Sequence, residues 1–179
     1  MKILAFAATN SRKSINKAII QTTASLLKES AFAKADVEII DLNDYEMPIY
    51  SIDRDNENGV PPEAREFYSK IGEADAVIIS FAEHNGFYTA AYKNLFDWTS
   101  RISKQVYQNK PVILFAAAPG PGGARNVLKT AENSAQFYGM DIKATLSIPR
   151  FHERYDLKKN LIIDDQLETQ LRNAIKQLN

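Results

Sequence analysis

Apolar residues along this chain follow two rhythms. Four compact runs, Ile3–Ala8, Val37–Asp41, Ala76–Phe81 and Val112–Ala118, are apolar at nearly every position, and a weaker fifth, Ile142–Ile148, follows them. Between the runs, apolar residues recur at three- and four-residue spacing: Ile15, Ile19, Leu26 and Leu27; Ala64, Phe67, Tyr68 and Ile71; Tyr92, Leu95, Phe96 and Thr99; Val127, Leu128, Ala131 and Ala135. The first rhythm belongs to strands covered on both faces, the second to helices with one buried stripe. Their alternation predicts an α/β chain, a three-layer doubly wound domain with a parallel five-stranded sheet between helices. A closing amphipathic helix is predicted over Asp164–Leu178, where Leu167, Leu171, Ala174, Ile175 and Leu178 share a stripe.

Turn chemistry adds boundaries. Asn58-Gly59 before Pro61-Pro62 predicts a turn followed by a helix start, and Gly72 and Gly139 mark helix ends. From Leu42 to Val60, a stretch carrying Met47-Pro48-Ile49-Tyr50, the pattern predicts one long irregular loop, a length that usually signals function. There is no repeat and no low-complexity tract, so residues 1–179 read as a single domain.

Composition narrows the chemistry. Lysine plus arginine equals aspartate plus glutamate at 22 each, so no overall field draws the chain to nucleic acid or to an anionic membrane. The absence of cysteine excludes disulfides, thiolate metal sites and thiol catalysis. No apolar run approaches the roughly 20 residues of a membrane span. Met1-Lys2-Ile3 enters the first strand without a signal-peptide layout, which predicts a cytoplasmic protein.

Ligands of open parallel sheets bind outside the carboxyl ends of the strands, and three unusual loops follow the first, third and fourth apolar runs. The first, Thr9-Asn-Ser-Arg-Lys-Ser-Ile-Asn16, sets hydroxyls and amides without any acid before a helix, the composition of a phosphate cradle. It lacks both the Walker glycine frame and the dinucleotide glycine fingerprint, so a mononucleotide is the expected anion. Plain helix capping by Ser14 is the competing explanation. The second loop, Ala82-Glu-His-Asn-Gly-Phe-Tyr88, offers His84 and Asn85 to a ligand and a permissive backbone at Gly86. The third, Pro119-Gly-Pro-Gly-Gly-Ala-Arg125, allows close backbone approach to a flat ligand or serves only as a flexible connection. His84 beside Glu83 is weak support for acid–base or metal chemistry, and His152 has no matching partner and is assigned to a loop.

These three stretches together resemble the NADPH-dependent FMN reductase and quinone reductase family. Thr9–Asn16 is similar to its phosphate loop ending in Ser-x-Asn. Glu83-His-Asn85 followed by Ala91-Tyr-Lys-Asn-Leu-Phe-Asp-Trp98 is similar to its Tyr-Asn followed by Leu-Lys-Asn-x-x-Asp-Trp, and Gly120-Pro-Gly-Gly123 to its glycine-rich loop. The resemblance implies a flavodoxin-like fold with strand order 2-1-3-4-5, FMN as cofactor and NADPH or NADH as hydride source. It implies FMN phosphate on Thr9, Ser11, Ser14, Ile15 and Asn16, and the isoalloxazine ring against Glu83, His84, Asn85 and Gly86 and against Pro119, Gly120, Gly122 and Gly123. Ala8 stands where the family usually has glycine, and His84 where it usually has tyrosine. Arg12, at the rim of the phosphate loop, is a candidate contact for the extra phosphate of NADPH, a solvated loop charge being the competing explanation. No catalytic side chain and no metal is expected, because the cofactor carries the chemistry.

The resemblance also implies a small-molecule electron acceptor, a quinone, a flavin or a similar flat molecule, and a homodimer or homotetramer, with Tyr92, Phe96 and Trp98 as contacts unless they are core. Two other classes remain open on the residues alone: a flavin-binding electron carrier or sensor without nicotinamide turnover, and a non-flavin α/β enzyme using Glu83 or Asp97 as nucleophile or base.

Overall fold

The computed structural model describes residues 1–178. Its five long strands are β1 (Lys2–Ala8), β2 (Asp36–Ile40), β3 (Ala76–Phe81), β6 (Lys110–Ala117) and β7 (Met140–Ile148). Two small hairpins stand outside this set: β4 (Glu83–His84) with β5 (Phe87–Tyr88), and β8 (Tyr155–Asp156) with β9 (Leu161–Ile162). The long strands form one parallel sheet in the order β2-β1-β3-β6-β7, the 2-1-3-4-5 order of a flavodoxin-like fold. Each long apolar run of the sequence is a strand of this sheet, displaced by two residues at most.

Alternate residues of a strand face opposite sides, and the core divides accordingly. Leu4, Phe6, Val77, Ile79 and Leu114 point to one face, against α3 (Pro62–Glu73), α4 (Ala90–Thr99) and α5 (Arg125–Ser134). Ile3, Ala5, Ile78, Ile113 and Phe115 point to the other, against α1 (Ile15–Lys28) and the closing helix α7 (Asp165–Lys176). At the two sheet edges this double cover weakens. Strand β7 alternates buried and open positions, which is why its run is the faintest in the sequence.

Helix boundaries follow local chemistry. Asp164 caps α7 by accepting the N–H groups of Gln166 and Leu167, and α3 starts with Pro62 at its first position, where the missing N–H costs nothing. Gly139 adopts φ 71° in the turn that enters β7, beyond the end of α5, and Gly72 lies inside the last turn of α3 rather than past it. Both glycines thus fall near, but not at, the helix ends the sequence suggested.

The Leu42–Val60 stretch differs from expectation. It holds a 3₁₀ turn at Leu42–Tyr45 and a helix, α2, at Ile52–Asn58. Helix α2 buries none of its residues, so it leaves no apolar period to read. Ser51, whose side chain caps it, and Gly59 at φ 70°, which ends it, are the start and stop signals that were there. The two hairpins, with strands of two residues each, are likewise too short to show a period. His152 sits on a short helix, α6 (Phe151–Arg154), with its ring edge-on to Phe151.

Tyr92, Phe96 and Trp98 belong to the core of this chain, at 1%, 7% and 1% exposure, and are not available as subunit contacts. The Tyr92 hydroxyl meets that of Tyr107 at 2.7 Å, and burial holds both phenols far above the ordinary tyrosine range.

Candidate functional site

Strands β1, β3 and β6 end side by side, and the loops that leave them are braced to one another. Asn16, in the first turn of α1, is 2% exposed and sends its side chain inward. Its Oδ1 accepts from Ser80 Oγ on β3 at 2.8 Å and from the Ala117 N–H at the end of β6 at 3.0 Å, while its Nδ2 donates to the Ala117 carbonyl at 3.3 Å. The side chain therefore fixes where the first loop sits on the sheet, with both acceptor positions of Oδ1 and one N–H of Nδ2 engaged. Thr89 makes a second brace: its hydroxyl donates to the Ala8 carbonyl at 2.9 Å and accepts the Tyr92 N–H, capping α4.

In the first loop the buried Thr9 side chain accepts the Ser11 N–H at 3.1 Å, and Ser14 caps α1 through the Asn16 N–H at 3.2 Å. Capping is thus real, yet it uses only part of the helix start. The N–H groups of Arg12, Lys13, Ser14 and Ile15 find no acceptor among the described residues. The first turn of α1 carries no acid, and Arg12 and Lys13 lie exposed beside it without a carboxylate partner among the described residues. Lys17, one turn on, is already bound to Asp41 at 2.6 Å. A helix N-terminus with unspent N–H groups and two unpaired cations favours an anion.

The second loop is a tight hairpin. Asn85 and Gly86, at φ 53° and 84°, form its two-residue turn, the left-handed pair that Asn-Gly favours between short strands. That dipeptide was the readable signal for the hairpin. His84 and Asn85 are exposed, while the Glu83 carboxylate turns back to accept the Val127 N–H in the first turn of α5 at 2.9 Å. Asp97 is bound to Lys93 by both carboxylate oxygens, at 2.7 and 2.8 Å. Neither acid is poised as a nucleophile.

The third loop is held rather than flexible. Gly123 has φ 61°, and a Cβ there would collide with Ser147 Oγ and come within 2.9 Å of Pro149 N. Ser147 Oγ donates to the Gly123 carbonyl at 2.6 Å, and the Arg150 N–H to the Gly120 carbonyl at 3.0 Å. Gly120 and Gly122 face open space, with nothing within 4 Å of where a Cβ would stand, so at these two positions the rim of the loop is bare backbone, with exposed Pro121 between them. Pro119 is exposed beside them.

A fourth wall comes from the segment after β2. Asn94 Oδ1 accepts the Tyr50 N–H at 2.8 Å and its Nδ2 donates to the carbonyls of Met47 and Pro48 at 3.1 and 3.2 Å; Trp98 Nε1 donates to the Pro48 carbonyl at 2.7 Å. The Tyr50 ring stands edge-on to Trp98 at 5.0 Å. This strap, with Asn10, Tyr45 and Ala90, lines a cleft of about 190 Å³ next to the first loop. The Asn-x-x-x-Trp spacing was visible in the sequence, but what it does was not, since it clamps a loop 44 residues upstream. Among the described residues no cluster of His, Asp or Glu suited to a metal ion occurs, and no helix is long and apolar enough to cross a membrane.

Known proteins share this chain's family and fold. Residues 1–153 match the profile of the family described as NADPH-dependent FMN reductase. An NADPH:quinone oxidoreductase of Arabidopsis thaliana is 28% identical over 126 residues, covering 70% of this chain and 62% of that protein. A quinone reductase of Escherichia coli K12 is 35% identical over 81 residues, covering 45% and 43% respectively. These matches therefore span less than two thirds of either relative. Among solved structures, the flavoenzyme NAD(P)H:(acceptor) oxidoreductase FerB of Paracoccus denitrificans superposes with a TM-score of 0.80 at 19% identity, over 99% of this chain and 94% of that one. The family profile runs from the first strand past the last residue of the sheet, so the chain belongs to the NADPH-dependent FMN reductase family.

Proposed function

We propose that this chain is an FMN-dependent NAD(P)H oxidoreductase that passes hydride from a nicotinamide through bound FMN to a quinone, a flavin or a similar flat acceptor. The start of α1 carries this reading: its free N–H groups, with Arg12 and Lys13 unpaired beside it, have the chemistry of a phosphate monoester site. The other two helix starts at the edge differ. Helix α4 is closed by Thr89, and α5 already faces the Glu83 carboxylate.

The residues present fit FMN. The N–H groups of Arg12 to Ile15, with the hydroxyls of Ser11 and Ser14, hold the phosphate. The hairpin tip at Asn85-Gly86 and the open backbone of Gly120 and Gly122 supply two walls for a flat ring, with backbone N–H donors and no side chain at the three glycines. Bound FMN supplies the hydride chemistry. The protein orients the ring, keeps one face open to exchange nicotinamide for acceptor, and stabilises negative charge on the reduced ring through backbone N–H groups. Arg12 lies on the rim where the additional phosphate of NADPH would pass.

The deciding experiment is an absorbance spectrum of the purified chain with FMN, before and after anaerobic NADPH. A flavin band that bleaches, and returns when menadione is added, establishes cofactor and both half-reactions. A protein that is colourless once unbound FMN has been removed overturns the reading.

A further inference from the structure

Helix α5 starts without a cap of its own. Its N-cap residue is Ala124, at φ 55°, and no side chain of that segment accepts a first-turn N–H. The acceptor arrives from another loop, as Glu83 Oε2 at 2.9 Å from the Val127 nitrogen, 44 residues away. Glu83 is the first residue of the β4–β5 hairpin, and the hairpin meets the same turn of α5 again: a Cβ on Gly86 would sit 3.8 Å from Asn126 Nδ2. The helix that Glu83 grips is the one the glycine loop leads into. One carboxylate thus fastens the second loop to the third.

The same carboxylate is a charge without a counter-cation. No lysine, arginine or histidine nitrogen lies within 4.0 Å of it among the described residues. Of the two basic residues flanking Val127 on α5, Arg125 turns its Nε to the Gly122 carbonyl at 3.0 Å and Lys129 pairs with Glu132 at 3.5 Å. Glu83 is half-buried, and the helix end it faces offers only about half a positive charge. A carboxylate with no direct counter-cation therefore stands where the hairpin meets the first turn of α5.

We propose that Glu83 is a positioning residue that also acts electrostatically, joining the hairpin to the glycine loop and, by its fixed charge, lowering the reduction potential of a flavin held between them. The proposal rests on FMN occupying this edge. Reduction places electron density on the ring's pyrimidine edge, and a partly desolvated carboxylate nearby opposes it. Lower potential makes the bound flavin a stronger donor to its acceptor. The neutral backbone donors of Gly120 and Gly122 act in the opposite sense, so the potential is set by the balance of the two.

Two substitutions separate the two roles. Glu83→Gln keeps an oxygen acceptor for the Val127 N–H and removes the charge; Glu83→Ala removes both. In the full chain, FMN affinity is read by fluorescence quenching and the midpoint potential by anaerobic dye equilibration. Glu83→Gln is expected to bind oxidised FMN within about twofold of the parent and to favour reduced over oxidised FMN about tenfold more, an upward shift of about 30 mV for a two-electron couple. Glu83→Ala is expected to lose FMN affinity several-fold. An unchanged potential in Glu83→Gln overturns the electrostatic role, a purely structural one having no means to move it. Unchanged FMN affinity in Glu83→Ala overturns the fastening. Should the parent bind no FMN, the reading of the site falls and the electrostatic role with it, while hydrogen exchange at the Val127 amide, expected to accelerate in Glu83→Ala, still decides the fastening.

Discussion

Asn16 and Ala117 exchange two hydrogen bonds across 101 residues of chain, the side-chain amide of one pairing with the backbone amide unit of the other. The pairing stands in for a ladder step beyond the last strand residues, and it ties the helix start expected to hold phosphate to the strand that precedes the glycine loop. Asn16→Ala leaves the Ala117 N–H and carbonyl and the Ser80 hydroxyl unpaired in the interior. Its expected cost is about 2–4 kcal/mol of folding free energy, read by urea denaturation. Asn16→Asp is expected to cost at least as much, because it sets a carboxylate oxygen against the Ala117 carbonyl.

Gly122 and Gly123 are neighbours with opposite tolerance. Gly123→Ala combines a left-handed backbone with the collision against Ser147 and Pro149, and should lower stability by about 1–3 kcal/mol. Gly122→Ala meets open space and should stay within about 0.5 kcal/mol of the parent. Thermal unfolding of the two variants side by side gives the answer, and equal losses would contradict the assigned geometry.

The strap before α2 depends on two side chains of α4. Asn94→Ala removes the partner of Tyr50, Met47 and Pro48 together, and a loss of about 1–3 kcal/mol is expected, with trypsin cutting faster at Arg54. Trp98→Phe preserves most of the ring packing while removing one hydrogen bond to Pro48, and should cost about 1–2 kcal/mol.

Glu38 on edge strand β2 gives an acid-sensitive link. Its hydrogen bond from Lys70 at 2.5 Å, with Lys2 at 3.5 Å, holds its carboxyl below the ordinary glutamate value of 4.5. A depressed folded-state value adds stability above the unfolded value, and that addition fades as pH falls through the folded one. Glu38→Gln should therefore be about 1 kcal/mol less stable than the parent near neutral pH, with the difference closing in acid and shrinking in high salt. Urea titrations at pH 7 and pH 3 measure it.

Arg12 has no carboxylate partner among the described residues, so its removal should leave the fold intact. Arg12→Ala is expected to raise KM for NADPH several-fold more than KM for NADH in steady-state assays with menadione. Equal changes for both nucleotides would detach Arg12 from the additional phosphate.

The sheet was legible because its central strands are covered on both faces: Ala76–Phe81 is apolar for the same reason that it lies between β1 and β6. Helix α2 was not, since a segment that buries nothing carries no period, and only Ser51 and Gly59 bracket it. The three loops were found by composition, but the direction of a side chain is a tertiary fact. Nothing local shows that the Asn16 side chain reaches Ala117, or that the Glu83 carboxylate reaches Val127. Asn94 and Trp98 were visible as a spacing and obscure as a mechanism, because their partners lie on another segment.

Thr89 joins the start of α4 to the end of β1 through the Ala8 carbonyl, one of the cross-ties that fasten the loops at this edge of the sheet to its strands. A nucleotide reaching such a rim has little chain to organise, so most of the contact energy survives as affinity. Uptake should then behave as a single encounter, its observed rate rising in proportion to nucleotide concentration without reaching a plateau set by the protein folding around it.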